Sequence, residues 1–135
     1  MKRFSISREI GGDNAAAIIT AVEAAHAFAR EENVSEVLAA RLAIVVEELV
    51  SNILHHGTPN AVATIDGRME KAPGGVHLTL CDDGTHFNPK HVLLGKGPHP
   101  ESGGGSGIPL VRAWSDDLDY RREAGMNWLE LFLRS

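Results

Sequence analysis

The chain has 135 residues, 18 acidic against 13 basic side chains for a formal net charge of -5, and 43% hydrophobic residues. That length is typical of one domain spanning 1–135, and such a chain buries roughly two-thirds of its unfolded surface without staples; the apolar fraction excludes a disordered protein. Its one cysteine, Cys81, excludes an internal disulfide framework and a zinc site of paired thiolates. The acidic balance argues against a nucleic-acid surface, and neither an apolar run of about 18 residues nor a signal-peptide core in MKRFSISREIGG is present. The expectation is a soluble cytoplasmic domain with no direct nucleic-acid or membrane partner.

Lys2–Arg8 alternates Phe4 and Ile6 with polar residues, which predicts a half-buried strand. Gly11-Gly12 breaks the chain, Asp13 is a good N-cap, and Ile18, Ile19, Val22, Ala25, Phe28 and Ala29 recur at helical spacing before Asn33. Ser35 caps a second predicted helix running to about His56, with Leu38, Leu42, Val45, Leu49 and Ile53 as its apolar stripe and Gly57 and Pro59 as its stop. Ala61–Met69 and Val76–Cys81 alternate around Ala72-Pro73-Gly74-Gly75 and predict a hairpin. Residues 84–106 are irregular, a short helix is predicted from about Gly107, and Leu118–Arg122 with Trp128–Leu133 predict a second hairpin. Helices followed by hairpins point to an α+β two-layer sandwich, a mixed, mainly antiparallel sheet with helices on one face. The repeated βα alternation of a doubly wound fold is missing.

Three segments carry chemistry. Glu48, Asn52 and His56 share one face of the second helix at i, i+4, i+8. A solvated helix end accounts for a lone Glu or His, whereas Asn is a middling helix former on an otherwise apolar helix. A carboxylate and an amide oxygen one turn apart suit the orientation of a nucleophile and the coordination of Mg²⁺. Asp82-Asp83-Gly84 places carboxylates at the exit of an apolar strand, a pattern shared by turns and ligand sites. Cys81 reads as a small buried side chain without a basic neighbour. Finally, Gly103-Gly104-Gly105-Ser106-Gly107 runs straight into an apolar helix start, where free backbone N–H groups favour an anion. A flexible linker has the same composition. Neither a Walker loop nor a dinucleotide fingerprint fits, because the last glycine has no Lys-Ser/Thr after it and the loop has no first βαβ strand before it.

Together, Glu48-x-x-x-Asn52…His56-Gly57, then Asp82-x-Gly84-x-x-Phe87-x-Pro89, then Gly105-x-Gly107-Ile108-x-Leu110-Val111-Arg112, and the ending Asp116…Tyr120…Gly125-x-Asn127-x-Leu129 resemble the histidine-kinase-like (GHKL, Bergerat) ATPase fold. Within it, the chain is most similar to the small anti-sigma-factor serine/threonine kinases. The resemblance implies ATP and Mg²⁺ as cofactors, with Asn52 holding the metal and Asp82 accepting from the adenine amino group. It further implies that Gly84 lets the base pack closely, that Gly103, Gly105 and Gly107 take the phosphates, and that residues 90–104 form a lid. Glu48 would orient, and deprotonate, the attacking hydroxyl. The implied partners are an anti-anti-sigma antagonist that is phosphorylated and a sigma factor that is sequestered, with a homodimer formed through the sheet side. A nucleotide-gated binding module with little turnover is the alternative. Glu130 would stand where relatives carry a last-strand threonine near the adenine. Lys90, Lys96, His91 and His99 are the lid's candidate phosphate partners, and a solvated lysine is the simpler reading of Lys96. The histidines do not resemble those of a sensor histidine kinase, since none forms a His-Glu or His-Asp pair on the first helix.

Overall fold

A computed structural model describes residues 1–8, 13–57, 63–84 and 108–135. Strand β1 (Lys2–Arg8) leads into helices α1 (Asn14–Glu31) and α2 (Glu36–Asn52), the latter continuing as a π-helical turn, Ile53–Gly57. Strands β2 (Ala63–Ala72) and β3 (Gly75–Asp82) come next, then helix α3 (Ile108–Trp114) and strands β4 (Ser115–Glu123) and β5 (Met126–Arg134). The five strands form one sheet in the order β1-β2-β3-β5-β4, every pairing antiparallel. This is the α+β architecture expected from helices followed by hairpins, and no parallel pair occurs among the described residues.

Local chemistry sets each element. The Asp13 side chain accepts from Ala15 N at 2.8 Å and caps α1. At the other end Asn33 takes φ +53°, with Val34 N bonding Ala29 O and Asn33 N bonding Arg30 O, the paired bonds of a Schellman stop. Ser35 Oγ accepts from Leu38 N at 3.2 Å to start α2. Pro73-Gly74, with Gly74 at φ +86°, turns β2 into β3 as a type II turn would.

The core lies between the helices and one face of the sheet. Ala17, Ala21, Ala25 and Phe28 of α1, and Leu42, Val45, Val46, Leu49 and Val50 of α2, pack with Ile6, Ile65, Met69, Leu78, Leu80, Leu129, Leu131 and Leu133 in one cluster. The small side chains at i, i+4 spacing on α1 let it lie close to its neighbours, while each strand contributes alternate residues. Along β5 the buried positions are Asn127, Leu129, Leu131 and Leu133, whereas Trp128, Glu130 and Phe132 turn to the outer face. On the inner face, Phe4 lies over Gly67, its partner across β1–β2, so closely that a Cβ there would meet the ring at 2.1 Å.

The second predicted helix differs from expectation at its end. α-Helical bonding stops at Asn52 and the next turn opens to the π form, with Ile53 and Leu54 both buried. A π turn adds a residue to the helical circuit and rotates every later position about the axis. The i, i+8 alignment of His56 with Glu48 holds only for a straight α-helix.

The β4–β5 turn is strained. Ala124 and Gly125 take φ +53° and +77°, the two left-handed positions of a type I′ turn, which favours Asn-Gly. Ala124→Asn is expected to raise unfolding stability by about 0.5–1 kcal/mol, read as a shift in denaturant midpoint with an unchanged slope.

Candidate functional site

Asp82 ends β3 on the inner face, the side covered by the helices, and is buried. Its Oδ1 accepts from Gly84 N at 2.9 Å and from Asn127 Nδ2 at 3.0 Å. The antiparallel register sets Asn127 directly opposite Asp82, so β5 delivers the donor without any loop. Asn127 is itself held: its Oδ1 accepts from Tyr120 Oη at 2.6 Å and from Arg122 Nη1 at 2.9 Å. Arg122 Nη1 also donates to Gly84 O at 3.1 Å. Asp83, by contrast, is exposed and accepts from Thr64 N at 2.9 Å, which ends the β2–β3 ladder. The two acids of the pair thus have different tasks.

Burial pushes the Asp82 carboxyl above its ordinary 3.8, and Asp83 adds to this, while the Asn127 and Gly84 bonds and the Arg122 charge pull it back. Glu48, on α2, is also raised above its usual 4.5, first by burial and then by Glu47. Among the described residues Glu48 Oε2 and Asn52 Nδ2 are buried atoms that find no hydrogen-bond partner. Asn52 is only 3% exposed. Leaving such groups unmet costs about 1–3 kcal/mol each. Orphaned buried polar groups and raised carboxyls are features that ligand sites commonly share.

Of the expected site residues, Glu48 and Asn52 therefore stand one turn apart on α2, and Asp82 and Gly84 are joined at the exit of β3. All four belong to the helix side of the sheet. Gly103, Gly105, Gly107, the lid 90–104 and the side chain of His56 lie outside the described residues. Among those described, no three His, Cys, Asp or Glu side chains gather as a metal centre.

Two expectations are corrected. Glu130 does not meet the site: it sits on the outer face opposite Thr79 and Asp119 and pairs with Arg121. Asn127, an odd number of residues away, is the β5 side chain that reaches Asp82. A polar Asn on the apolar side of an alternating strand was the available signal. Cys81 is buried as expected but has a basic neighbour, Arg121; burial and Asp66, Asp82 and Asp83 outweigh it and raise the thiol. A concavity of about 670 Å³ also lies on the outer face, lined by Arg3, Asp66, Arg68, Thr79, Trp128 and Glu130 among others. It contains none of the candidate residues.

An antiparallel sheet backed by helices, with a buried carboxylate at a strand exit and unmet polar groups on the facing helix layer, has the form of a nucleotide-binding ATPase domain. Residues 13–133 match the histidine kinase-like ATPase domain, and the chain belongs to that family, which implies ATP as its ligand. The Serine/threonine-protein kinase BtrW of Bordetella bronchiseptica is 30% identical over 94 residues, covering 67% of this chain and 66% of that protein, just under two-thirds of its length. A chain of the crystal structure of the SiaB-SiaC complex from Pseudomonas aeruginosa aligns with a TM-score of 0.55 at 15% identity, over 98% of this chain and 89% of that one. That likeness is one of fold. No helix among the described residues is long and apolar enough to cross a membrane.

The raised Asp82 carboxyl links stability to pH. Between pH 3.8 and the raised value the folded chain holds a proton that the unfolded chain has lost, so this group's contribution to stability falls as pH rises through that interval. Asp82→Asn keeps an oxygen for Gly84 N and Asn127 Nδ2 but removes the buried charge. The ligand-free variant is expected to melt higher than the parent at neutral pH, with the difference closing below pH 3.8, as thermal unfolding across pH would read.

Proposed function

We propose that the chain is a Mg-ATP-dependent serine/threonine kinase that phosphorylates a small anti-anti-sigma antagonist and sequesters a sigma factor. The observation that carries this reading is Glu48, a half-buried carboxylate with a raised value and an oxygen that no described residue satisfies. A module that only binds nucleotide needs no such base, whereas a kinase needs one at the attacking hydroxyl.

The donor set fits Mg²⁺, a hard cation that prefers oxygen ligands. The Asn52 amide is buried with its nitrogen unmet, and a half-turn about its last side-chain bond presents the oxygen instead. Asn52 would hold the metal, which when bound neutralises the ATP phosphates. Asp82 receives the adenine amino group, Gly84 leaves room for the base, and Gly103, Gly105 and Gly107 with the start of α3 receive the phosphates. Glu48 orients the substrate hydroxyl and takes its proton. Phosphoryl transfer depends chiefly on positioning and charge neutralisation, which these residues supply. The kinase named among the relatives supports the reaction class, and the outer sheet face is assigned to self-association.

Labelled ATP, mixed with the protein and a single-domain antagonist encoded beside it, is expected to label a serine or threonine of the antagonist. Glu48→Ala should cut that rate by about 10²–10⁴-fold, the usual worth of a general base, while ATP affinity persists. Undiminished labelling would remove Glu48 from catalysis, and lost ATP binding would reassign it to the nucleotide. Separately, Mg-ATP at 100 times its dissociation constant should stabilise the parent by about 2.7 kcal/mol. Asn52→Ala should lose most of that gain at the same concentration, as a thermal shift would show.

A further inference from the structure

Resting on the ATP reading of this site, we infer that Asn127, fixed by Tyr120 and Arg122, is a positioning residue that sets purine choice: it keeps Asp82 an acceptor for a 6-amino purine and against a 6-oxo purine.

The orientation of the Asn127 amide is decided by its neighbours. An arginine only donates, and Arg122 Nη1 lies 2.9 Å from Asn127 Oδ1. Tyr120 Oη donates to the same oxygen at 2.6 Å. The nitrogen end must therefore face Asp82 Oδ1 at 3.0 Å, with Gly84 O at 3.4 Å. Turning the amide over would set its NH₂ against Arg122 and its oxygen against a carboxylate.

The base-reading group inherits that order. Gly84 N and Asn127 Nδ2 both donate to Asp82 Oδ1, so the carboxylate form is the one they favour. An ionised Asp82 accepts from an amino group at the purine 6-position and repels a carbonyl oxygen there. A protonated Asp82 would donate from Oδ2 and welcome that carbonyl. Burial and the adjacent Asp83 press toward the protonated form, while Asn127, Gly84 and Arg122 oppose it. Of these, Asn127 is the group whose removal leaves the Gly84 backbone bond intact and takes away the one side-chain donor that Asp82 Oδ1 has among the described residues. Tyr120 acts through it, while Arg122 acts both through it and by its own charge on Asp82, and holds Gly84 O as well.

Dissociation constants for Mg-ATP and Mg-GTP, measured on the same preparations, test this. The parent should prefer ATP. In Asn127→Leu the ATP:GTP preference should fall about tenfold or more, the worth of one hydrogen bond to a charged group. Arg122→Gln, on an exposed side chain, should lower the preference by a smaller factor and decides the matter where Asn127→Leu does not fold. A merely structural role would weaken both nucleotides alike; an unchanged ratio in the folded variants overturns the inference while leaving the ATP site standing. Failure of the parent to bind ATP overturns the site itself, and the inference with it.

Discussion

The site hangs on the pairing of β3 with β5. That register puts the last residue of β3, Asp82, opposite Asn127, and the bond between their side chains crosses 45 residues of sequence. A carboxylate buried on the apolar face of a sheet is a costly group. It is tolerable here because its donors come from rigid structure, a strand partner and the backbone of Gly84, and neither must be ordered separately. β5 inserts between β3 and β4, so the strand that carries Asn127 is held on both sides. From the other side β4 contributes Tyr120 and Arg122, and three strands thereby fix one amide.

Much of this was legible in the sequence because the signals were local. Asp13 and Ser35 as caps, Asn33 as a stop, and the alternation in Lys2–Arg8 and Val76–Cys81 act within a few residues, and the elements formed where those residues lie. The hairpins were legible for the same reason, although Ser115–Glu123 begins earlier than the alternation alone indicates because Asp117 at φ +54° and a bulge carry the strand past an irregular stretch. The ordered motifs brought out Glu48, Asn52, Asp82 and Gly84 as a set.

What escaped was partnership. Nothing local says that Asp82 and Asn127 face each other, since register between distant strands is set by how two apolar faces meet on one core. The misplacement of Glu130 shows the cost. Residues three apart on a strand point to opposite faces, and Leu129, Leu131 and Leu133 already mark which face is buried. Parity alone puts Asn127 with the site and Glu130 with Trp128 outside. The π turn escaped for a different reason: Ile53 and Leu54 satisfy an α-helical pattern as well as a π one, and periodicity does not separate them.

The same physics explains why the site's residues break the rules the core obeys. Around Glu48 and Asn52, α2 buries Val45, Val46, Leu49 and Val50, a helix that would be more stable with apolar groups in their place. The raised carboxyls of Glu48 and Asp82 and the orphaned atoms of Glu48 and Asn52 are offset by the packing around them. On the proposed reading, a magnesium-bound nucleotide would bring a hydroxyl substrate to Glu48, a cation to the Asn52 amide once its oxygen is turned toward the site, and an amino donor to Asp82. On that reading the cost of leaving Glu48 Oε2 and Asn52 Nδ2 unmet would be recovered on binding, and the local instability and the affinity would have one origin.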